Sequence, residues 1–370
     1  ITAIWVLAAL LILLGGFAAM AHSGTRIARN YGELARAGWA ARAGIRRAEA
    51  MTTQLVAASY TDLGGTALAL SSADDGAELA DAEYETTVSD EAGKLSLNTA
   101  TLDELAAFFP TDTAAAIIDW RDEDSAVTEQ GAEDDYYVGL APPYHCKNAP
   151  FETVDELLQV KGVTPELLDE TVTEDGQTLR DLLTVCSEDR NTDAEGQARF
   201  NITTATQQQW TQEFGSVLTA QDITAIIQQN TSSAFASPAE LLRVPGVTRE
   251  KLAQLYDRLT ATTDRTRPGL VNLNTAPVEV LAVLPGMDEV AAQAIDTYRT
   301  HTGPLETVGD LLAIDGISDA AFLQMADRVT TRSQRFRAVA VGSTPGGITK
   351  TITCILQNDG TTVHTLYWRE

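Results

Sequence analysis

The chain has few cysteines and few basic residues for its length. Its three cysteines, Cys146, Cys186 and Cys354, form no CxxC pair and have no histidine at zinc-ligand spacing. A disulfide-rich scaffold is therefore excluded and a structural zinc site is disfavoured. Against 26 Lys and Arg residues stand 52 Asp and Glu residues, a net charge of −26 that disfavours binding to the phosphate backbone of nucleic acid.

Enough apolar sequence is present to form a core. Hydrophobic residues make up 44% of the chain and charged residues 21%, which excludes a wholly disordered polymer. At about 150 residues per domain, 370 residues predict two to three domains.

The first 21 residues contain no charged side chain. As a helix they would extend about 31 Å, close to the roughly 30 Å hydrocarbon thickness of a bilayer. The alternatives are a buried core helix, which usually carries a polar stripe, and a signal peptide, whose apolar region is only about 7–15 residues long. The sequence therefore predicts a membrane-spanning helix.

A basic, alanine-rich stretch follows this apolar run. Residues 22–50 contain six arginines and two glutamates, which gives +4 and leaves −30 for residues 51–370. No proline occurs before Pro110, so the helix is predicted to continue. Taken alone, the positive-inside rule would place these arginines in the cytoplasm.

One pattern occurs three times, near residues 97–163, 202–247 and 273–317. Each copy opens with a short extended segment ending in Thr-Ala and continues with an apolar helix that contains Ala-Ile. Each closes with a helical segment and a Gly turn: FETVDELLQVKGV, FASPAELLRVPGV and LETVGDLLAIDGI. Ser or Thr at the start of the closing segment, with Glu or Asp three residues later, is a capping-box signature.

The repeats fit two interpretations. They are either packed helical hairpins alone or helix-hairpin-helix modules, whose hairpin amides and helix N-terminus bind a phosphate. The segments Val244–Val247 and Leu284–Met287 fit the hairpin sequence, but Asp288, Glu289 and Asp315 stand where phosphate binding needs Lys or Arg. The charge therefore opposes binding to nucleic acid.

The first copy carries an insertion of 24 residues, since 30 positions separate Arg121 from Phe151 but only six separate Arg299 from Leu305. Seven carboxylates crowd its first fourteen residues: Asp122, Glu123, Asp124, Glu129, Glu133, Asp134 and Asp135. A solvated acidic loop is the usual interpretation. The oxygen ligands around the flexible Gly131 also suit calcium, although the spacing is not that of an EF-hand.

These acids do not form part of a recognisable catalytic set. Paired carboxylates can hydrolyse glycosides, but the four histidines are isolated and no Ser/His or Cys/His arrangement accompanies them. Isolated titratable groups are usually structural, so we expect no enzyme.

Strand patterns flank the repeats. Tyr84–Val88 and Leu95–Leu97 predict a hairpin that enters the first copy. Phe336–Val341, Ile348–Leu356 and Val363–Trp368 predict three more strands, with an Asp-Gly turn between the last two. Strands before and after a helical block predict one sheet, with the block inserted between its strands.

Together these features resemble the K minor pseudopilins of type II secretion. The resemblance covers nearly the whole chain and rests on the apolar start and on several segments: DEAGKLSLNTA, DWRDEDS with GAEDDYY, NAPFETVDELLQVKGV, VNLNTAPVEVLAVLPGM and SQRFRAVAVG. It implies an α+β fold with a long N-terminal transmembrane helix and a small pseudopilin-type antiparallel sheet domain. A large all-α domain of helix-hairpin-helix/SAM-like repeats would be inserted in that sheet.

The resemblance also implies an arrangement and a role. The spine helix would cover residues 1–50, the sheet domain 51–97 and 333–370, and the inserted α-domain 98–332. The protein would be a single-pass inner-membrane protein with its soluble part in the periplasm, and its partners would be the I and J minor pseudopilins and other pseudopilins of the filament. Its role would be to cap the pseudopilus tip and help initiate its assembly for protein export; the alternative is a helix-hairpin-helix membrane protein that binds nucleic acid.

Position at the tip is further implied by a missing acid. Major pseudopilins carry a glutamate early in the mature helix, which pairs with the amino terminus of the preceding subunit, whereas no acid occurs here before Glu33. A subunit without that glutamate is expected to sit first in the filament. On the helix itself, Leu7, Leu10, Leu11 and Leu14 share one face, which we expect to pack against neighbouring pseudopilin helices.

The family resemblance implies calcium in the α-domain, and the acidic segment matches that of the family. Five carboxylates on either side of Gly131 are therefore the candidate ligands: Asp122, Asp124, Glu133, Asp134 and Asp135. Asp119 is a weaker candidate because its place in the repeat predicts helix. Cys146 and Cys186 are candidates for a disulfide in an oxidising compartment, and Cys354 is expected to be a buried thiol.

Overall fold

The computed structural model describes residues 2–57, 59–76, 79 and 81–370, so Ile1 of the predicted membrane helix lies outside the described residues. The α-helices within these ranges are α1 (Thr2–Ala57), α2 (Leu102–Ala106), α3 (Thr111–Arg121), α4 (Asp134–Tyr137), α5 (Pro165–Leu168), α6 (Gln207–Phe214), α7 (Ala220–Ser232), α8 (Arg249–Leu255), α9 (Val278–Ala282), α10 (Glu289–His301) and α11 (Asp319–Met325). The β-strands are β1 (Ala67–Ser71), β2 (Glu83–Asp90), β3 (Leu95–Ser96), β4 (Leu183–Thr184), β5 (Glu188–Arg190), β6 (Phe200–Asn201), β7 (Leu259–Thr260), β8 (Thr266–Pro268), β9 (Val271–Asn272), β10 (Val329–Thr330), β11 (Arg335–Ser343), β12 (Thr349–Asn358) and β13 (Val363–Arg369).

Helix α1 has two halves with different surroundings. Its first half is apolar and exposed, and it is long and apolar enough to cross a membrane. From Glu33 onward one face is buried against the sheet. The helix continues to Ala57, so the predicted boundary at residue 50 is wrong and residues 51–57 belong to the helix. Met51, Leu55 and Val56 pack against the apolar cluster of the sheet and so hold these last turns in helical form.

A five-stranded antiparallel sheet packs on α1, in the order β1-β2-β11-β12-β13. Alternate residues of its central strands are buried against the helix, among them Val88, Phe336 and Ile352. The absence of a side chain at Gly342 lets helix and sheet approach closely, since a Cβ there would overlap the carbonyl of Ala37. Since β2 and β11 are neighbours, the long segment between them is inserted between two adjacent strands, as predicted.

One predicted strand pairing is wrong. Residues 84–88 lie in β2, which pairs with β1 and β11 rather than with the segment that follows it. Residues 95–96 form β3, which pairs in parallel with β4 in the inserted domain. The intervening residues Glu91–Gly93 form a buried 3-10 turn that starts the inserted domain, so the chain leaves the sheet instead of folding back on it. The predicted hairpin of β12 and β13 is confirmed.

The inserted domain contains three units of one architecture. Each unit begins with a two-residue strand and ends with another that pairs with it in parallel: β3 with β4, β6 with β7 and β9 with β10. Between these strands lie two helices, a 3-10 helix, a Gly turn and a final helix. The predicted closing helices are the 3-10 helices Val154–Gln159, Pro238–Arg243 and Val308–Ala313. Thr153 and Thr307 form complete capping boxes there.

The repeated polar residues have structural roles within each unit. The Asn274 amide bonds the main chain of Leu305 in both directions, at 2.9 and 2.8 Å. Asn98 does the same with Phe151 in the first unit. Arg299 donates to the carbonyls of the opening turn, Leu273 and Ala276, as Arg121 does in its own unit. The repeated Asn and Arg residues therefore close the first and third units on themselves.

The inserted domain is attached at the end of the sheet farther from the apolar part of α1. Gly346, in the turn between β11 and β12, contacts Glu33, and Gly342 contacts Ala37 and Ala41. At the other end of β11, Phe336 packs in one cluster with Ala48. The insertion leaves the sheet at Asp90, the cross-strand partner of Phe336, and so projects away from the apolar segment.

Two adjacent buried carboxylates hold this junction. Asp90 accepts hydrogen bonds from Asn272 (2.8 Å), Thr275 (2.7 Å) and Ser333 (2.6 Å), which link the sheet to the third unit. Burial raises the pKa of Asp90 above its usual value, against the lowering effect of these hydrogen bonds.

Glu91 links the sheet to the first unit. It forms ion pairs with Lys94 (2.7 Å) and with Arg337 of β11 (2.9 Å) and accepts a hydrogen bond from Thr184. Burial alone would raise the pKa of Glu91, but the two cations hold it well below its usual value.

We predict that Glu91→Gln destabilises a soluble fragment of residues 24–370 by about 3–5 kcal/mol, because it leaves two cations without their carboxylate. The carboxyl pKa is lowered in the folded state, so the wild-type advantage is full above the unfolded pKa of about 4.3 and is lost as the pH falls below it. Urea unfolding at pH 7 and pH 3 measures both effects. The exposed Glu85 of β2 is the control: Glu85→Gln should change stability by less than about 0.5 kcal/mol. Equal stability of the two variants would contradict the role of Glu91.

Candidate metal centre

Three of the five predicted calcium ligands converge after the end of α3. One carboxylate oxygen each from Asp122, Asp124 and Glu133 lie within 4.8 Å of one another. Calcium binds oxygen at 2.3–2.6 Å, so ligands on opposite sides of one ion are separated by about that 4.8 Å. The arrangement therefore has the size and the donor type that suit a calcium ion.

The cluster contains carboxylates that lack compensation from the protein. Glu133 is 4% exposed, and neither of its carboxylate oxygens has a hydrogen-bond partner in the described part of the chain. The same holds for Asp122 Oδ1. Burial, followed by repulsion from Asp119 and Asp122, raises the pKa of Glu133; burial, followed by repulsion from Asp124 and Asp119, raises the pKa of Asp122. A buried carboxylate without donors is costly unless a proton or a cation neutralises it.

Asp119 shapes the loop but does not offer free oxygens. Its two carboxylate oxygens accept hydrogen bonds from the amides of Thr128 (2.9 Å) and Ala132 (2.7 Å). Gly131 lies so close that a Cβ there would overlap Asp119 Oδ2. Lys161, from the Gly turn of the first unit, donates to the carbonyls of Gln130 (2.9 Å) and Gly131 (3.2 Å). The loop that carries the cluster is therefore fixed to the first unit.

The other two predicted ligands lie outside the cluster. Asp134 accepts from the amide of Cys146 (2.9 Å) and lies 3.0 Å from the His145 ring, so its carboxylate holds the far end of the insertion. Asp135 is exposed on α4. The sequence predicted that Glu133, Asp134 and Asp135 would bind the ion together. Helix α4 begins at Asp134, however, and only Glu133 joins the cluster.

Sequence reasoning missed Asn148. Its side-chain amide donates to the carbonyl of Asp124 (2.7 Å), and its Oδ1 is buried without a partner in the described residues. Its φ of 44° is in the left-handed region, which Asn tolerates better than most residues. An asparagine at the end of an acidic insertion was the available signal.

The predicted disulfide is wrong. Cys146 and Cys186 are both free thiols, as is Cys354, which is buried in β12 as expected. The sulfur of Cys146 lies 3.7 Å from the carbonyl of Asp119, beside the acidic loop, whereas that of Cys186 lies 3.4 Å from Glu91 at the junction with the sheet. The two cysteines therefore lie in different parts of the inserted domain and are not paired.

Near the hairpins that resemble phosphate-binding modules, the basic side chains bond to other groups of the same chain. In the second unit, Arg249 donates to the carbonyls of Leu312 (3.0 Å) and Ile317 (2.9 Å), and Lys251 pairs with Asp222 (2.7 Å). Residues 268–330 contain nine acidic residues and two arginines. Both arginines make internal bonds, Arg299 to the opening turn of its unit and Arg328 to Glu104 (3.0 Å). These cations form bonds within units and between units instead of facing solvent as a phosphate-binding surface.

Family models match two parts of the sequence. Residues 79–172 match the family described as type II secretion system protein K, and residues 268–330 match the helix-hairpin-helix motif. The first match contains Asp90 and Glu91, most of the first unit and the acidic cluster. The second coincides with the third unit.

Two curated proteins show local similarity. A type II secretion system protein K of Aeromonas hydrophila is 51% identical over 53 residues, 14% of this chain and 16% of that protein. The ComE operon protein 1 of Bacillus subtilis (strain 168) is 32% identical over 69 residues, 19% of this chain and 34% of that protein. The aligned parts thus span about a third or less of these relatives.

A solved structure extends the comparison to the whole fold. A chain of the GspK-GspI-GspJ complex from the type 2 secretion system of enterotoxigenic Escherichia coli superposes with a TM-score of 0.53 at 14% identity, over 93% of this chain and 98% of that one. This likeness supports the fold, with its long helix, sheet and inserted α-domain. The sequence matches show that part of the chain, residues 79–172, is similar to type II secretion system protein K.

Proposed function

We propose that the protein caps the tip of the pseudopilus and helps to initiate its assembly for protein export. The observation that carries this proposal is the position of the inserted domain, which leaves the sheet between Asp90 and Phe336, at the end away from the apolar half of α1. A filament of such subunits grows along the direction of its helices. A subunit stacked farther from the membrane would meet this bulky domain, so the protein suits the terminal position.

The protein is anchored through α1, and we propose that the anchor lies in the inner membrane with the soluble part in the periplasm. The orientation rests on the similarity to type II secretion system protein K, because the positive-inside rule alone would favour the opposite one. The −30 carried by residues 51–370 would oppose close contact of the soluble part with an anionic surface. We propose the I and J minor pseudopilins as its partners, because the structural relative was solved with those proteins. The exposed face with Leu7, Leu10, Leu11 and Leu14 is the candidate contact with neighbouring pseudopilin helices.

We further propose a structural calcium ion in the acidic cluster. Asp122, Asp124 and Glu133 would hold it, and Asp119 and Lys161 would keep their loop in place. The ion would supply positive charge that offsets the repulsion among these carboxylates. A structural role suits the family of secretion components better than catalysis, and we propose no enzymatic activity.

The alternative, binding of nucleic acid through the helix-hairpin-helix motif, is not favoured. The matched segment is acidic, and its two arginines are used in internal bonds. A basic surface that could neutralise phosphates is what the motif would need for this purpose.

The tip position predicts where a label on this protein lies in assembled pseudopili. With an epitope on the exposed side of α7, immunogold labelling should mark filament ends only. Because Asp90 and Phe336 are direct cross-strand partners, a two-residue Asn-Gly turn can replace residues 91–335 and keep the sheet. Such a variant lacks α7, so its epitope is placed after β13 instead, and the variant should also enter the shaft. Labels of the complete protein distributed along the shaft would contradict the proposal.

Calcium binding predicts a change in stability that depends on two residues. At a calcium concentration a hundredfold above Kd, the soluble fragment should gain about 2.7 kcal/mol, a rise in Tm of several degrees. Asp122→Asn combined with Glu133→Gln should abolish the rise and, in chelator, should melt above wild type because the repulsion is gone. The matched control is Asp134→Ala combined with Asp135→Ala, which should keep the calcium-dependent rise. Loss of the rise in the control alone would contradict the assignment of the cluster.

A further inference from the structure

Two arginines lie on α1 immediately beyond its apolar run. We propose that Arg26 and Arg29 bind the phosphate groups of anionic lipids in the leaflet from which α1 emerges. The inference goes beyond the tip role and rests on the membrane anchoring of α1. It assigns a lipid-binding function to a segment whose charge is opposite to that of the rest of the chain.

The first argument is height above the hydrocarbon. Helix α1 is continuous from Thr2 to Ala57, so the distance of each residue from Ala21, the end of the uncharged run, follows from 1.5 Å per residue. Arg26 lies about 8 Å and Arg29 about 12 Å beyond Ala21 on this rise. The headgroup layer is about 5–8 Å thick on each side of the hydrocarbon, and long arginine side chains bend toward it.

The second argument is the availability of donors. Arg26 is exposed and has no hydrogen bond or ion pair within the described residues. Arg29 has a side chain 74% exposed, and only its Nε is engaged, by Glu33 at 2.8 Å. Glu33 is itself buried beneath the turn that contains Gly346. This pair orients Arg29 and leaves its terminal N–H groups for a planar, bidentate contact with phosphate.

The third argument is charge. Residues 51–370 carry −30 and are repelled by an anionic membrane surface. Positions 26 and 29 are three apart and therefore lie on one side of the helix. Basic residues next to a membrane span attract anionic lipid with about 1 kcal/mol each, which is a factor of about five in affinity. The two arginines would fix the depth of the helix against the repulsion of its own soluble domain.

Arg36 provides a matched control. It is exposed on the same helix and has no hydrogen bond or ion pair in the described part of the chain. It lies about 22 Å beyond Ala21 on the helical rise, which is more than twice the Debye length of about 8–10 Å at physiological ionic strength. An arginine at that height should not discriminate between lipids.

The test uses the full chain in mixed micelles of phosphatidylglycerol and phosphatidylcholine, with retained lipids counted by native mass spectrometry. Wild type should retain phosphatidylglycerol preferentially, and the preference should fall when NaCl is raised from low to high concentration. Arg26→Gln combined with Arg29→Gln should lower the phosphatidylglycerol-to-phosphatidylcholine ratio more than tenfold, at about fivefold for each arginine. Arg36→Gln should leave the ratio unchanged.

Three results would overturn the proposal. The first is an unchanged ratio in the double variant, and the second is an equal loss in Arg36→Gln, which would indicate only diffuse charge. The third is displacement of phosphatidylglycerol by millimolar glycerol phosphate, which would indicate a free anion as the ligand. Because the experiment contains neither calcium nor I and J partners, its outcome is separate from the outcome of the tip and calcium tests.

Discussion

The arrangement of the molecule depends on a pair of buried carboxylates where the sheet ends. Asp90 bonds the third unit through Asn272 and Thr275, and Glu91 bonds the first unit through Thr184. Their desolvation is offset by six hydroxyl, amide and cationic side-chain donors, three on Asp90 and three on Glu91. Together with the bonds of Arg335 to Glu188 and of Gln177 to Thr66, the two carboxylates hold the inserted domain in one orientation on the sheet.

The inserted domain stays compact because each of its units closes on itself and then packs on the next. Parallel two-residue ladders join the two ends of every unit, and Arg249 connects the second unit to the hairpin of the third. A motif that elsewhere suits phosphate binding here contributes to internal packing. The acidic insertion differs, because both carboxylate oxygens of Glu133 and Oδ1 of Asp122 have no donor among the described residues. Buried carboxylate oxygens without donors, brought together within 4.8 Å, are the physical reason for proposing a cation there.

Much of this arrangement was predictable from periodicity and repetition. The apolar run, the three units, the capping boxes at Thr153 and Thr307, and the sheet that surrounds the insertion follow from local patterns that survive folding. The sequence also located the acidic cluster but could not separate Glu133 from its neighbour Asp134. Which of the two carboxylates joins the cluster depends on the residue at which helix α4 begins, and a shift of one residue would change the answer.

Long-range pairings were not predictable in the same way. Residues Leu95–Ser96 read as the second strand of a hairpin because a turn precedes them, yet their partner β4 lies some ninety residues later. The pairing of Cys146 with Cys186 failed for a related reason, since the first contacts the acidic loop and the second contacts Glu91. The distance between two residues along the sequence does not determine whether they are in contact in the fold.

The central claim is that the inserted domain is held rigidly beyond the membrane-distal end of the sheet. Pulsed electron–electron resonance between a spin label at exposed Gln228 of α7 and a label at Arg46 or Arg36 of α1 tests it most directly. The account predicts one narrow distance for each pair, longer from residue 36 than from residue 46, and a broad distribution for both after Glu91→Gln. A broad distribution in wild type, or a shorter distance from residue 36, would contradict it.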